Sequence, residues 1–398
     1  MTRTAAPQGM PIVHRDHATM QKHRLFARPS TVALAALSLA AAAGAQELVV
    51  PIGHTGPLSG ANAFAGKDNE NGVRLAIEDL NAKKLSAGGK PLKFVLKSED
   101  DQCDPKTGVA VAQKFVDDKV RFVVGPYCSG VAIPASRTYS DNGTLMSTVG
   151  TNPKITAAGY THVFRIIASD AQIGASMAQY AAKELKVKNV GVIDDRSAFG
   201  QGLAEEFAKE AKKLGLNVVG QEFTTDKSMD FNAILTRLKG KNPEVVFFGG
   251  YAPQGGPMLR QLKQLGLTAK LLGGDTLCSP EMAKIAGAAV NDTVFCAQGG
   301  AVIDKTAGGP GFKARFKQKF NADADVYAPY FYDQTMFIGE AIARVGAADP
   351  EKVAADLRKS VYKGVAGNYS YDDKGNLKNA PTTVFTFKGE KLTPLATY

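Results

Sequence analysis

From residue 46 onward, short β-rich apolar runs alternate with amphipathic stretches along most of the chain. Residues 48–53 read as a strand, and 71–81 place Val73, Ile77 and Leu80 on one helical face. Residues 92–97 form the next strand candidate. The spacing of Val109, Val111, Ala112, Phe115 and Val116 predicts a helix over 106–117, which leads into the apolar run 120–124. Strand and helix alternating in this way predict a βαβαβ unit with a parallel sheet. A second series begins near Ser169, with strands at 189–193, 217–219, 245–248 and 271–273 and helices at 202–214, 231–238 and 257–265. The module is used twice. Helices at 311–320, 327–345 and 350–360 then precede a β-rich tail, with a turn at 372–375 and strand signal over 382–387. This tail reads as late segments returning to complete both lobes. The fold class is therefore α/β, two doubly wound βα lobes joined by a multi-strand hinge that suits opening and closing around a ligand.

Two hydroxyl side chains stand where successive strands of the first series end. The run 120–124 breaks at Gly125-Pro126, and Ser129 leads into the helical stretch 131–139. There a hydroxyl and unpaired backbone N–H groups can both face an anion such as a carboxylate. The strand-like 144–149 runs into Gly150-Thr151-Asn152-Pro153, so Thr151 takes the matching loop position. Ligands of open parallel sheets bind beyond the carboxyl ends of the strands, where both loops lie. The plainer alternative makes Ser129 a helix N-cap and Thr151 a turn residue. Asp275, in Gly273-Gly274-Asp275-Thr276, ends another apolar strand in the second series; it reads equally as a functional carboxylate or as a turn former.

Length and composition narrow the class. Residues 20–45 carry Lys22, Arg24 and Arg28, an apolar run over 32–43 and then Ala43-Gly44-Ala45, the pattern of a secretory signal peptide cleaved near Ala45. Residues 1–19 read as an upstream extension before a second start at Met20. The mature chain is therefore expected to be exported. The roughly 350 residues that remain exceed what one core normally organises, which favours two lobes. Without residues 1–45 the net charge of +10 loses five bases and one acid and becomes +6. The lysines are interspersed with acids and no arginine-rich arm occurs, so no nucleic-acid partner is expected. Cys103, Cys128, Cys278 and Cys296 are even in number in an exported chain, and pairing nearest neighbours gives Cys103–Cys128 and Cys278–Cys296.

The sequence fails the patterns that mark common catalytic sites. Residues 60–67 resemble a phosphate loop with one residue too many between the glycines, and Asp68 stands where Ser or Thr should meet magnesium. Phe199-Gly200-Gln201-Gly202 begins a dinucleotide fingerprint, but Glu205 replaces its third glycine. Cysteine spacing is not C-x-x-C, and only His54 and His162 remain to help a metal site. No catalytic residue, metal or cofactor is predicted, and the chain is read as a non-enzyme.

Several stretches together resemble the periplasmic leucine/isoleucine/valine-binding proteins of ABC uptake systems: 52–60, 66–72, 101–106, 125–129, 199–202 and 248–251. The resemblance covers essentially all of 46–398 and implies the type I periplasmic-binding-protein fold, a venus flytrap that closes on an amino-acid zwitterion and delivers it to a membrane permease. It implies an N-terminal lobe of 46–168 plus 299–379, a C-terminal lobe of 169–298 plus 380–398, and a monomer. Ser129 matches the serine that binds the ligand carboxylate. Gly150 and Thr151 match the small residue and the threonine that contact the ligand's charged ends through backbone groups and the threonine hydroxyl. Asp275 falls where the family places a glutamate for the α-ammonium. Phe199 falls where tyrosine is common, Tyr251 matches an aromatic of the second lobe, and Phe64 and Tyr327 lie near the side-chain pocket. Cys103 and Cys128 match the family's disulfide pair, whereas Cys278–Cys296 rests on parity alone. Asp275 is one methylene shorter than glutamate and Phe199 has no hydroxyl. Both changes leave a branched-chain or similar small amino acid as the leading ligand, with an amide, urea or an aromatic carboxylate on the same fold as the alternative.

Overall fold

The computed structural model describes residues 46–398, so the predicted export segment lies outside the described residues. The first series contains β1 (Leu48–Gly56), α1 (Ala63–Ala82), β2 (Ser86–Ala87), β3 (Lys90–Asp100), α2 (Pro105–Asp117), β4 (Phe122–Val124), α3 (Ser129–Asp141), β5 (Leu145–Thr148), α4 (Lys154–Ala157) and β6 (Val163–Arg165). Its strands form one sheet in the order β2-β3-β1-β4-β5-β6, parallel except for the β2–β3 pair. Every residue of β4, β5 and β6 is buried. Helices on both faces account for this, and such strands read as short continuous apolar runs instead of alternating ones.

The second series contains α5 (Asp170–Lys183), β7 (Asn189–Asp194), α6 (Ala198–Lys213), β8 (Asn217–Phe223), α7 (Asn232–Lys239), β9 (Val245–Gly249), α8 (Ala252–Gln264), β10 (Lys270–Gly273), α9 (Pro280–Ala286) and β11 (Val294–Gly299). The chain continues through α10 (Gly309–Phe320), α11 (Ala328–Val345), α12 (Pro350–Lys359), a small hairpin of β12 (Tyr362–Lys363) and β13 (Asn368–Tyr369), and finally β14 (Thr382–Lys388) and β15 (Lys391–Thr397). The second sheet runs β15-β14-β11-β10-β9-β7-β8, with β14 and β15 antiparallel at one edge. The two kinds of late segment part company: α11 packs on α1 beside the first sheet, while β14 and β15 extend the second. The backbone thus passes between the sheets after β6, after β11 and before β14.

The starts of α1 and α8 depart furthest from the helix starts that the periodicity predicts. Helix α1 begins at Ala63 and not near residue 71, because the inner face of its first turns is built from close backbone approach and not from apolar bulk. A Cβ on Gly66 would stand 2.0 Å from the Pro57 carbonyl oxygen, and one on Gly72 would stand 2.3 Å from that of Ala328. Helix α8 begins at Ala252, five residues before Pro257, which lies inside it. A proline early in a helix forfeits one backbone bond and still resembles a start signal. No helix among the described residues is long and apolar enough to cross a membrane.

Candidate functional site

In each sheet the strand order reverses beside the first strand of its series, between β1 and β4 and between β7 and β9. The loops leaving the carboxyl ends near these points face one another, as expected for a ligand crevice in open α/β sheets. One interior cavity is lined by Tyr127, Ser129, Val149 and Thr151 from the first lobe and by Phe199, Tyr251, Asp275 and Thr276 from the second, with Tyr327 at the start of α11. Six of the eight ligand residues expected from the sequence therefore meet: Ser129, Thr151, Phe199, Tyr251, Asp275 and Tyr327. Phe64 lines an adjoining cavity that shares Tyr127, Thr276 and Tyr327. Gly150 lines neither.

Ser129 is the first residue of α3, held there by the disulfide between Cys128, just before it, and Cys103. Its Oγ accepts hydrogen bonds from the N–H groups of Thr151 (3.2 Å) and Asn152 (3.3 Å). An oxygen that accepts twice turns its own proton outward, so Ser129 is set to donate to an anion. The backbone N–H groups of Gly150 and Thr151 are engaged within the protein. That of Thr151 meets Ser129, and that of Gly150 donates to Thr148 Oγ1 at 2.9 Å. Both bonds hold the loop's shape. The carbonyls of Thr151 and Asn152 are fixed by Arg165 Nη1, at 3.0 and 2.9 Å.

Asp275 is completely buried at the end of β10, opposite Ser129. Its Oδ1 accepts from the Thr276 N–H at 3.0 Å, while Oδ2 has no hydrogen-bond partner. Burial pushes the carboxyl up to about 6, with the nearby Tyr327 hydroxyl and the Thr276 N–H pulling the other way. The turn role read from the sequence is thus present, and it uses only one of the two oxygens. Aromatic rings surround this carboxylate: Tyr127 lies 5.3 Å from Tyr327 and 6.0 Å from Tyr251, and Tyr251 lies 5.1 Å from Phe199. A carboxylate ringed by aromatic faces suits a cation.

Sequence reasoning missed Tyr127, Val149 and Thr276 in the wall and Asp170 behind it. Tyr127 lies in the same 125–129 loop as Ser129, and that adjacency was the available signal. Asp170, the first residue of α5, gave none, because an acid there reads as an ordinary helix start. It is fully buried with both carboxyl oxygens unpartnered; burial pushes it up to about 8, opposed by the Thr151 hydroxyl and Arg165 and reinforced by Asp275. His54 is buried with neither ring nitrogen hydrogen-bonded, and burial lowers it to about 4. No group of three or more His, Cys, Asp or Glu among the described residues is arranged to hold a metal.

A family model described as periplasmic binding protein matches residues 49–391. The chain belongs to the periplasmic binding protein family. This binding protein is 35% identical over 368 residues to the leucine-, isoleucine-, valine-, threonine-, and alanine-binding protein of Pseudomonas aeruginosa, covering 92% of this chain and 96% of that one. It is 36% identical over 352 residues to Leu/Ile/Val-binding protein homolog 1 of Brucella abortus, covering 88% and 92%. Among solved structures, a leucine binding protein from Thermotoga maritima matches with a TM-score of 0.80 at 27% identity, covering 87% of this chain and 98% of that one. A solute binding protein from R. palustris in complex with benzoate matches with a TM-score of 0.79 at 19% identity, covering 88% and 96%, a likeness of fold alone. Both cysteine pairs stand at disulfide distance, including Cys278–Cys296, with Cα atoms 5.5 Å apart in each.

Proposed function

We propose that this binding protein captures an α-amino acid between its lobes in the periplasm and delivers it, as a monomer, to a membrane ABC permease. The observation that carries the reading is the opposition, across one buried cavity lined also by Thr151, of the outward-turned hydroxyl of Ser129 and a half-unpaired carboxylate at Asp275. An amino acid presents a carboxylate and an ammonium a few ångströms apart and satisfies both walls at once. Burying an ammonium without an acceptor is strongly disfavoured, which gives Asp275 its role. Tyr127, Tyr251, Tyr327 and Phe199 enclose the ligand and exclude water. In this reading the lobes are 46–168 with 299–379 and 169–298 with 380–398, and they move about the three backbone crossings. Binding and release suffice, so the reading needs no catalytic step.

The test is a thermal-shift and calorimetric screen of refolded, ligand-stripped protein against the amino acids, acetamide, urea and benzoate. A true ligand raises stability by RT ln(1 + [L]/Kd), about 2.7 kcal/mol at a hundredfold excess over Kd. Binding of benzoate or an amide, with no response to any amino acid, overturns the proposal.

A further inference from the structure

Beside the cavity that holds Asp275 lies a second one, reached past Tyr127 and Tyr327, which line both. Its wall is acidic. Asp68 on α1 and Asp325 just before α11 meet there, the Asp325 N–H donating to Asp68 Oδ1 at 3.1 Å, and Ser279 of the second lobe donates to Asp325 Oδ2 at 2.7 Å. The remaining partner is the Val326 N–H, 2.7 Å from Asp325 Oδ1. Every one of these donors is neutral, and among the described residues no Lys, Arg or His forms an ion pair with either carboxylate. Asp68 Oδ2 is buried and has no partner.

A separate observation comes from Asn69, the next residue of α1. It is fully buried, lines the same cavity, and neither its amide oxygen nor its amide nitrogen has a hydrogen-bond partner. Buried polar groups are nearly always satisfied in folded proteins, so an orphaned amide beside two carboxylates that lack an ion-paired cation marks a place that a polar group completes. Neighbouring charge gives no such relief to Asp68: burial and Asp325 both hold its carboxyl well above the usual range. An aliphatic side chain here leaves all of these groups unpaired, whereas a cation with several N–H donors satisfies them together.

Resting on the amino-acid reading above, we infer that this second cavity is the ligand's side-chain subsite and that it selects an α-amino acid whose side chain ends in a cationic ammonium group. The α-ammonium then meets Asp275, the chain runs past Tyr127 and Tyr327, and the terminal ammonium reaches Asp68, Asp325 and the Asn69 amide oxygen. The feature was visible in the sequence only as a misfit, since Asp68 is the residue that breaks the phosphate-loop pattern of residues 60–67.

Calorimetry with ligand-stripped protein against lysine, ornithine, norleucine, leucine and alanine tests the inference. Norleucine keeps all four side-chain carbons of lysine and lacks its terminal nitrogen. The expected result is that lysine or ornithine binds at least tenfold more tightly than norleucine. Asp325→Asn and Asp68→Asn should each reduce that ratio severalfold while leaving alanine affinity within twofold, a readout that loss of folding cannot imitate. If norleucine or leucine binds as tightly as both diamino acids, this inference is overturned and the amino-acid reading stands. If no α-amino acid binds, both fall.

Discussion

At the scale of single residues, the site works through the direction in which each polar atom is free to act. Ser129 accepts from two N–H groups, which leaves its proton free to donate, in the proposed reading to the ligand carboxylate. Ser129→Ala removes that donor and also strands the Thr151 and Asn152 N–H groups. It should weaken amino-acid binding by about 1.5–3 kcal/mol, the range for a hydrogen bond to a charged group, as measured by calorimetry. Unchanged affinity would remove Ser129 from the site. For Asp275 the sign follows from its raised value of about 6. An ammonium ligand needs the ionised form, so below about pH 6 each unit of acidification must first remove a proton from the carboxyl. The dissociation constant should therefore be flat above pH 7 and rise by up to about tenfold per pH unit below 6. In Asp275→Asn the affinity should be weaker at neutral pH, and this part of the pH profile should vanish. A profile identical to the parent's would show that another group titrates.

At the scale of elements, loops are positioned by what anchors their ends. The Cys103–Cys128 bridge ties the loop after β3 to the residue that precedes α3, so the helix start bearing Ser129 is fixed from a neighbouring strand. The Cys278–Cys296 bridge does the same on the other wall, joining the short 3₁₀ turn Asp275–Cys278 to β11. Both of its cysteines are fully buried, and 18 residues separate them in sequence. Chain-entropy arguments give such a loop about 3 kcal/mol of stabilisation. The double variant Cys278→Ser with Cys296→Ser should lower the urea-unfolding free energy by about that amount, and more if the buried hydroxyls lack partners. Its amino-acid affinity should fall as well, since Asp275 begins the anchored turn. Loss of stability with affinity intact would separate the bridge from the site.

At the scale of the whole molecule, the packing of the two lobes buries several carboxyl groups. Asp101, Asp170, Asp195, Asp275 and Asp333 are raised by burial to about 6, 8, 6, 6 and 7. A carboxyl whose folded value is raised holds more protons folded than unfolded between about 4 and that value. Its contribution to stability therefore falls as pH rises through the window. His54 acts in the opposite sense, since its lowered value of about 4 means stability is lost as pH drops below about 6.5. Between pH 8 and 6.5 only the carboxyls act. The Tm of the ligand-free protein should accordingly rise on going from pH 8 to 6.5 and rise further toward pH 5, where Asp101, Asp195 and Asp275 also take up protons and together outweigh His54. A Tm that falls over the first interval would contradict the burial of Asp170 and Asp333.

The alternation of apolar runs with amphipathic helices determined by itself that this chain forms two βα units, because strands buried on both faces and helices with one apolar face leave periodic marks in sequence. It also placed Ser129, Thr151 and Asp275 at strand ends, since the strand end is where the apolar run stops. Tertiary structure alone decided what those residues face. That Gly150 and Thr151 spend their N–H groups inside the loop, that α1 starts eight residues early on glycine contacts, and that Asp68, Asn69 and Asp325 share one cavity all depend on segments as much as 257 residues apart. Periodicity records which side of an element is buried. The atoms that meet there are set by how the elements pack, which no local pattern contains.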